Sequence, residues 1–256
     1  CSARYSGGMA KEFIIPKYGF LYEAEKQWNL ANKKPTHTFS GEIFYRGNNT
    51  SKLKQYDIPG HSVSCAYGRE DELVLINRSN FSICSWCGFG TLSRDVSEHY
   101  ASNGKKCTGK LYSSSLGHVF RTDVFIINLE DVPIGSIDQA LSVLSALTNA
   151  FCRLFNVDDN EIGGCVSMSS GHYIFVLFDN TPGGAGYVKT ALADRSDNLL
   201  QLIRAALKIS EECTCGNGER TDCACYGCLL NYRNQRYHDK IKRSYVIDAL
   251  SGFKEE

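Results

Sequence analysis

Five cysteines fall within sixteen residues near the end of the chain, as Cys213-Thr214-Cys215 and Cys223-Ala224-Cys225-Tyr226-Gly227-Cys228. This spacing constrains the fold more than any other feature, because a CxC and a CxxC joined by a polar, Gly-containing loop can gather four thiolates round one ion. Such a ligand set favours tetrahedral zinc, with an iron–sulfur cluster as the rival for the same thiols. The alternative is a disulfide framework, since the chain has 12 Cys, an even number. Against it stand a length of 256 residues, no charged-then-apolar leader at the start as read, and thiol pairs too close in sequence to cross-link distant segments. Metal is therefore the expectation.

With 43% hydrophobic residues, 22% charged residues and a formal net charge of zero, the chain reads as an ordinary soluble protein of one large or two small domains. No apolar run approaches the roughly 20 residues that span a bilayer, so no membrane association and a cytoplasmic location are expected. Balanced charge argues against a basic coat for nucleic acid but leaves room for a local basic strip. The chain opens at Cys1 with no methionine before Met9, as expected of a segment of a longer polypeptide.

Residues 13 to 83 carry short apolar or alternating runs, Phe39 to Tyr45, Ser62 to Tyr67 and Glu72 to Ile76, punctuated by Arg46-Gly47-Asn48-Asn49 and Ile58-Pro59-Gly60. This pattern predicts an antiparallel meander. The aromatic residues of Phe13 to Phe20 surround a Pro and a Gly and read as a turn packed on the sheet, with a base-stacking platform as the alternative. A second metal candidate follows in Cys84-Ser85-Trp86-Cys87-Gly88, a knuckle whose Gly lets the backbone turn round an ion. His99 and Cys107 are its candidate partners, with His118 as a substitute for His99. Unconnected thiols beside a surface histidine are the alternative.

From residue 116 the elements lengthen. Val124 to Leu129 predicts a strand buried on both faces, and Ser136 with Gln139 a capping box for a helix through about Phe155. The apolar residues Ala140, Leu141, Leu144, Leu147, Phe151 and Leu154 fall at helical spacing and should face the sheet. Two strands follow, Glu161 to Met168 and Tyr173 to Phe178, and then Asp179-Asn180-Thr181-Pro182-Gly183-Gly184-Ala185-Gly186-Tyr187. That turn reads as a tight strand-to-helix connection, with a backbone anion site as the alternative. Helical pattern runs across Val188 to Ile209, and a final helix is expected to reach Phe253. Between them Arg233, Arg236, Lys240, Lys242 and Arg243 are interleaved with tyrosines. They suit contact with phosphates and bases, or alternatively a solvated helix face.

Taken in order, Leu116-Gly117-His118 with Arg121-Thr122-Asp123, then Asp179 with Pro182-Gly183-Gly184-Ala185-Gly186-Tyr187, then the CxC, the CxxC-Leu229 and Tyr232-Arg233-Asn234-Gln235 with His238 resemble the MrfA-type zinc-binding domain. That domain lies at the C-terminus of a group of DEAD/DEAH-box-like DNA helicases. Pro16-Lys17-Tyr18-Gly19-Phe20 and the Cys84/Cys87 knuckle are similar to what precedes it there. The resemblance implies zinc held by Cys213, Cys215, Cys225 and Cys228, with Cys223 an extra thiol that could replace Cys215 or Cys225.

The expected fold is α+β: an N-terminal antiparallel β-meander with a zinc knuckle over residues 1–115, then, over 116–256, a mixed α/β layer closed by a four-cysteine zinc site and a C-terminal helix. The resemblance further implies a non-catalytic accessory module of a bacterial helicase or translocase for DNA repair or phage defence. Its partners would be DNA, expected to be single-stranded, a helicase core upstream in the same polypeptide, and a repair or defence protein. The segment has neither a Walker A motif nor a DEAD/DEAH box, so ATP binding would lie upstream. The alternative is a nuclease-like domain in which Asp123, Glu161 and Asp179, on or beside strands, hold Mg²⁺ for phosphodiester hydrolysis.

Overall fold

The computed structural model describes residues 2–3, 11–14, 41–91, 96, 98–217 and 221–254. Its strands are β1 (Ser2–Ala3), β2 (Lys11–Ile14), β3 (Gly41–Tyr45), β4 (Lys54–Ile58), β5 (His61–Cys84), β6 (Gly90–Thr91), β7 (His99–Tyr100), β8 (Lys106–Cys107), β9 (Leu111–Leu129), β10 (Ile162–Ser169) and β11 (His172–Asp179). The helices are α1 (Ile137–Phe155), α2 (Tyr187–Leu192), α3 (Ser196–Glu212) and α4 (Arg243–Leu250). The fold is α+β, as expected. Among the described residues no helix is long and apolar enough to cross a membrane. The aromatic turn anticipated at Phe13 to Phe20 lies, from residue 15 on, outside the described residues.

Contacts divide the chain into two units, residues 1–42 with 74–119 and residues 43–73 with 120–256. The second unit therefore includes residues 43–73, which a boundary at 115/116 assigns to the N-terminal part. The reason is apolar. Ile58, Val63 and Cys65, on β4 and the first half of β5, are buried in the helix-covered core. Tyr45, Ala66 and Leu73 are buried with β9, β10 and β11 residues on the opposite face.

In this larger unit β9, β11 and β10 form an antiparallel run, with Val124 opposite Phe178 and Cys165 opposite Val176. Strand β5 pairs with β9, and β4 with the start of β5. Alternation sorts the side chains: Phe125, Ile127, Phe175 and Leu177 face the helices, while Val124, Ile126, Ile174, Val176 and Phe178 face the other way. All nine are buried, so the strands are covered on both faces.

Helix α1 starts where the capping pattern places it. The Ser136 hydroxyl accepts the Gln139 N–H at 3.2 Å, and the Gln139 side chain accepts the Gly135 N–H at 2.9 Å. Its buried surface is wider than one stripe, because Val143, Ala146 and Ala150 are enclosed too, whereas Leu154 stays exposed. One expectation is corrected. The helix foreseen over Val188 to Ile209 is split into α2 and α3 by residues 193–195, with Asp194 at φ 56°. Residues 232–242 hold a single 3-10 turn, Gln235–Tyr237, and the final helix α4 begins at Arg243, with a 3-10 turn, Ser251–Phe253, carrying it on to Phe253.

In the smaller unit β2 pairs with β9 in parallel, Phe13 opposite Ser115, so this part departs from a pure meander. Strand β5 turns back onto β6, Ile83 opposite Gly90, and β7 pairs with β8, His99 opposite Cys107. The runs expected separately at Ser62 to Tyr67 and Glu72 to Ile76 belong to the one strand β5, which continues through a positive-φ residue, Glu70.

Candidate metal centres

The two ladders of the smaller unit converge on four side chains. Cys84 ends β5, Cys87 closes the turn after it, and His99 and Cys107 face each other across β7 and β8. Their ligand atoms all lie within 4.8 Å of one another. The backbone makes the cradle: Gly88 N–H donates to the Cys84 carbonyl, Cys84 N–H to the Phe89 carbonyl, and Gly109 N–H to the Cys107 sulfur. Gly109 must be glycine, since a Cβ there would stand 2.6 Å from the Cys84 sulfur. His118 is not in the group.

His99 is 5% exposed, its ring stacked on Phe89, and its Nε2 has no hydrogen-bond partner among the described residues. A buried ring nitrogen without a partner costs free energy that a bound cation would remove. The Cys84 thiol is pushed up by burial, but N–H donors of Cys87 and Trp86 and the His99 ring outweigh this and bring it down to about 6. Cys87 moves the other way: the Phe89 N–H lowers it, yet burial and the thiols of Cys107 and Cys84 raise it more. One thiolate is stabilised at its neighbours' expense, as expected where several acids share one site.

The second group lies in the larger unit. Cys213 and Cys215 follow α3 directly, and Cys225 and Cys228 sit in the loop before Leu229, their four sulfurs within 4.8 Å of one another. Separations are 3.6 Å for Cys213 to Cys225, 3.7 Å for Cys225 to Cys228 and 4.0 Å for Cys215 to Cys228. Four thiolates at about 2.3 Å from one tetrahedral zinc stand about 3.8 Å apart, so the donor set fits that ion. A multi-iron cluster puts its thiolates on different irons and needs them farther apart, which disfavours the iron–sulfur rival. Cys223 is 4.0 Å from Cys215 but outside the mutually close four. Burial raises the Cys213 thiol, but the Cys215 N–H and the thiols of Cys215, Cys225 and Cys228 overcome this and bring it down to about 7. Cys228 is pushed up to about 11, first by burial.

Neighbouring helices hold both ligand loops by their carbonyls. From α1, Asn149 donates to the Cys228 carbonyl and Arg153 to that of Gly227, the latter at 2.6 Å. From α4, Arg243 donates to the carbonyls of Ser210 at 3.1 Å, Cys213 at 2.5 Å and Cys215 at 2.8 Å. Arg243, expected among the nucleic-acid contacts, is instead 1% exposed and turned onto these carbonyls. Arg233 is similarly engaged, donating to the carbonyls of Asn160 and Ile162. Lys240 is 3.7 Å from Asp138, Lys242 lies over the Tyr245 ring and Arg236 over that of Tyr237. Sequence reasoning missed Asn149 and Arg153. Their only signal was polar character on a helix whose neighbouring residues Ala150, Phe151 and Cys152 are buried.

The carboxylates foreseen for Mg²⁺ are not gathered into a metal-binding group among the described residues. Asp179 is buried and accepts four backbone N–H groups, from Ala185, Gly186, Tyr187 and Val188, at 2.6 to 3.1 Å. The Gly-rich turn thus binds the chain's own carboxylate, and those donors are spent. Asp123 accepts the Glu70 N–H and lies against Gly184, where φ is +82° and a Cβ would come within 2.6 Å of the Asp123 carboxyl carbon. Glu161 accepts from the Thr181 hydroxyl at 3.4 Å. The turn is therefore the tight connection of the first reading.

Fold and ligand set define an α+β chain with two cysteine-rich groups suited to zinc, one of them all thiol. Residues 143–229 match the family model of the MrfA Zn-binding domain, a segment that contains the four-cysteine group. The chain is 23% identical to the Druantia protein DruE of Escherichia coli (strain UMEA 4076-1) over 95% of its own length, and spans 15% of that protein. Two crystal structures of the DUF1998 helicase MrfA are also similar. The DNA-bound one is 12% identical, covering 84% of this chain and 25% of that one at a TM-score of 0.46. The one bound to DNA and AMPPNP is 10% identical, covering 71% and 22% at 0.36.

Proposed function

We propose that this chain is a zinc-stabilised, non-catalytic module of a bacterial DNA helicase or translocase, serving DNA repair or phage defence in the cytoplasm. The observation that carries the reading is the group of four cysteine sulfurs within 4.8 Å, inside the segment that matches the MrfA Zn-binding domain. Four thiolates fill a tetrahedral zinc and leave no position for a substrate water, so this ion would act through folding. A second zinc would sit on Cys84, Cys87, His99 and Cys107. The module would contact single-stranded DNA, with Arg236, Lys240 and Lys242 as its remaining tail cations, or a partner protein, while a helicase core elsewhere in the polypeptide supplies ATP binding.

Metal analysis of the purified chain tests this directly. About two zinc per chain are expected, falling to about one when Cys225 is replaced by Ser. A chain that refolds fully without zinc, with unchanged thermal stability, would remove the folding role.

A further inference from the structure

The knuckle of the smaller unit presents a side chain that metal binding does not use. Trp86, inside the Cys84-to-Cys87 turn, is 75% exposed. An indole is among the largest apolar surfaces a protein can bury, and leaving it in water forgoes that gain. It is nevertheless fixed at its root. The Gly109 backbone passes beneath it so closely that a Cβ there would lie 3.0 Å from its Cβ and Cγ, while hydrogen bonds from Cys84 and Gly88 close the turn that carries it. Only the ring projects.

The segment that passes beneath it is cationic. Residues 98–112 contain three lysines, Lys105, Lys106 and Lys110, all exposed, against one acid, Glu98, which pairs with Lys106. Lys110 follows directly on Gly109, whose backbone passes beneath the root of the indole. Exposed Tyr100 and Tyr112 belong to the same stretch, Tyr100 opposite Lys106 across the β7–β8 ladder. An anchored aromatic face and exposed ammonium groups on the segment that packs beneath it complement a strand of unpaired bases on a phosphate backbone. A protein partner would favour an interface core depleted of charge, which these lysines do not provide. Duplex DNA fits less well, because its base faces are already stacked.

We propose that Trp86 is a base-stacking side chain, and that the knuckle surface it shares with Lys110 binds single-stranded nucleic acid. This rests on the DNA-contact part of the proposed function and names the residues that would make the contact. The zinc-loaded 256-residue chain carrying Trp28→Phe has Trp86 as its one tryptophan. It is titrated with a 15-nucleotide oligo-dT and with a duplex of equal length, following tryptophan emission and the anisotropy of labelled DNA.

Expected are quenching by the single strand, a loss of affinity on the order of 10-fold or more for Trp86→Ala, and much less for Trp86→Phe. Lys110→Ala should lower the salt slope by about 0.7. Zinc content is measured on every variant. Should Trp86→Ala lose zinc, Trp86→Phe and the quenching decide. If anisotropy reports bound DNA while Trp86 emission is unchanged, the proposal is overturned and the broader DNA reading stands. If the chain binds no oligonucleotide at all, both fall. Quenching by an acidic polypeptide but not by oligo-dT would make the knuckle a protein-docking surface and also overturn the proposal.

Discussion

Arg243→Met separates two roles that one residue cannot both fill. The arginine donates to three carbonyls, those of Ser210, Cys213 and Cys215, from a position 1% exposed. Methionine keeps the apolar stem and removes every donor. At about 1 kcal/mol net for each lost hydrogen bond the destabilisation is about 3 kcal/mol, with the desolvation of the guanidinium and the stranded carbonyls opposing each other. That corresponds to a drop on the order of 100-fold in the folding equilibrium. Because two of the three carbonyls belong to Cys213 and Cys215 of the proposed zinc group, a loss of zinc affinity of about 10- to 100-fold should accompany it. Urea unfolding gives the first quantity and competition with a chromophoric chelator the second. Arg243→Lys should recover only part, since one ammonium cannot reproduce a planar fork. A variant with unchanged unfolding midpoint and zinc affinity but a shallower salt dependence of DNA binding would refute the clamp and restore the phosphate role.

Asp179→Ala should destabilise the larger unit by more than about 2 kcal/mol, because four backbone donors lose their acceptor; a change in any DNA cleavage without a change in stability would instead revive the Mg²⁺ reading. Gly184→Ala meets both a positive φ and a 2.6 Å approach to Asp123, so an unfolding temperature equal to that of the parent would contradict the packing described. Hydrogen bonds from Ser64, Ser62 and Gln55 hold the Glu130 carboxyl below its usual range. Its stabilisation is therefore present above the unfolded carboxyl pKa and lost as pH falls through the lower folded value, and Glu130→Gln should flatten that acid limb of the stability curve.

Patterns that depend on neighbours in sequence were legible in advance. The Ser136 cap, the limits of α1, the doubly buried Val124 to Leu129 and the thiol spacings are all local, and each has one dominant physical cause. What sequence could not give is how a charged side chain is spent. Arg243 and Arg233 sit in a stretch that looks like a basic strip, yet one is buried and both donate to backbone carbonyls from distant segments. Asp179 looks like a candidate ligand because it ends a strand, and the turn that follows folds back to consume it. The membership of residues 43–73 in the larger unit was equally hidden, since alternation shows that a strand buries one face but not against which sheet or helix.

The Arg243 contacts also explain why the ligand loop begins where it does. Helix α3 ends at Glu212 with no basic residue in its last turn, so its terminal carbonyls lack the positive charge that usually favours a helix C-terminus. Arg243 supplies that charge from α4, bonding the Ser210 carbonyl of the last turn and the Cys213 and Cys215 carbonyls beyond it. On the opposite side, Asn149 and Arg153 of α1 hold the carbonyls of Cys228 and Gly227. The four cysteines therefore hang from three helices, each loop tied by its backbone, and a cation bound between them would fasten the end of α3 to α1 and α4 at once. On this arrangement zinc removal should loosen α3 and α4 together, and hydrogen exchange that rose in only one of them would contradict the coupling.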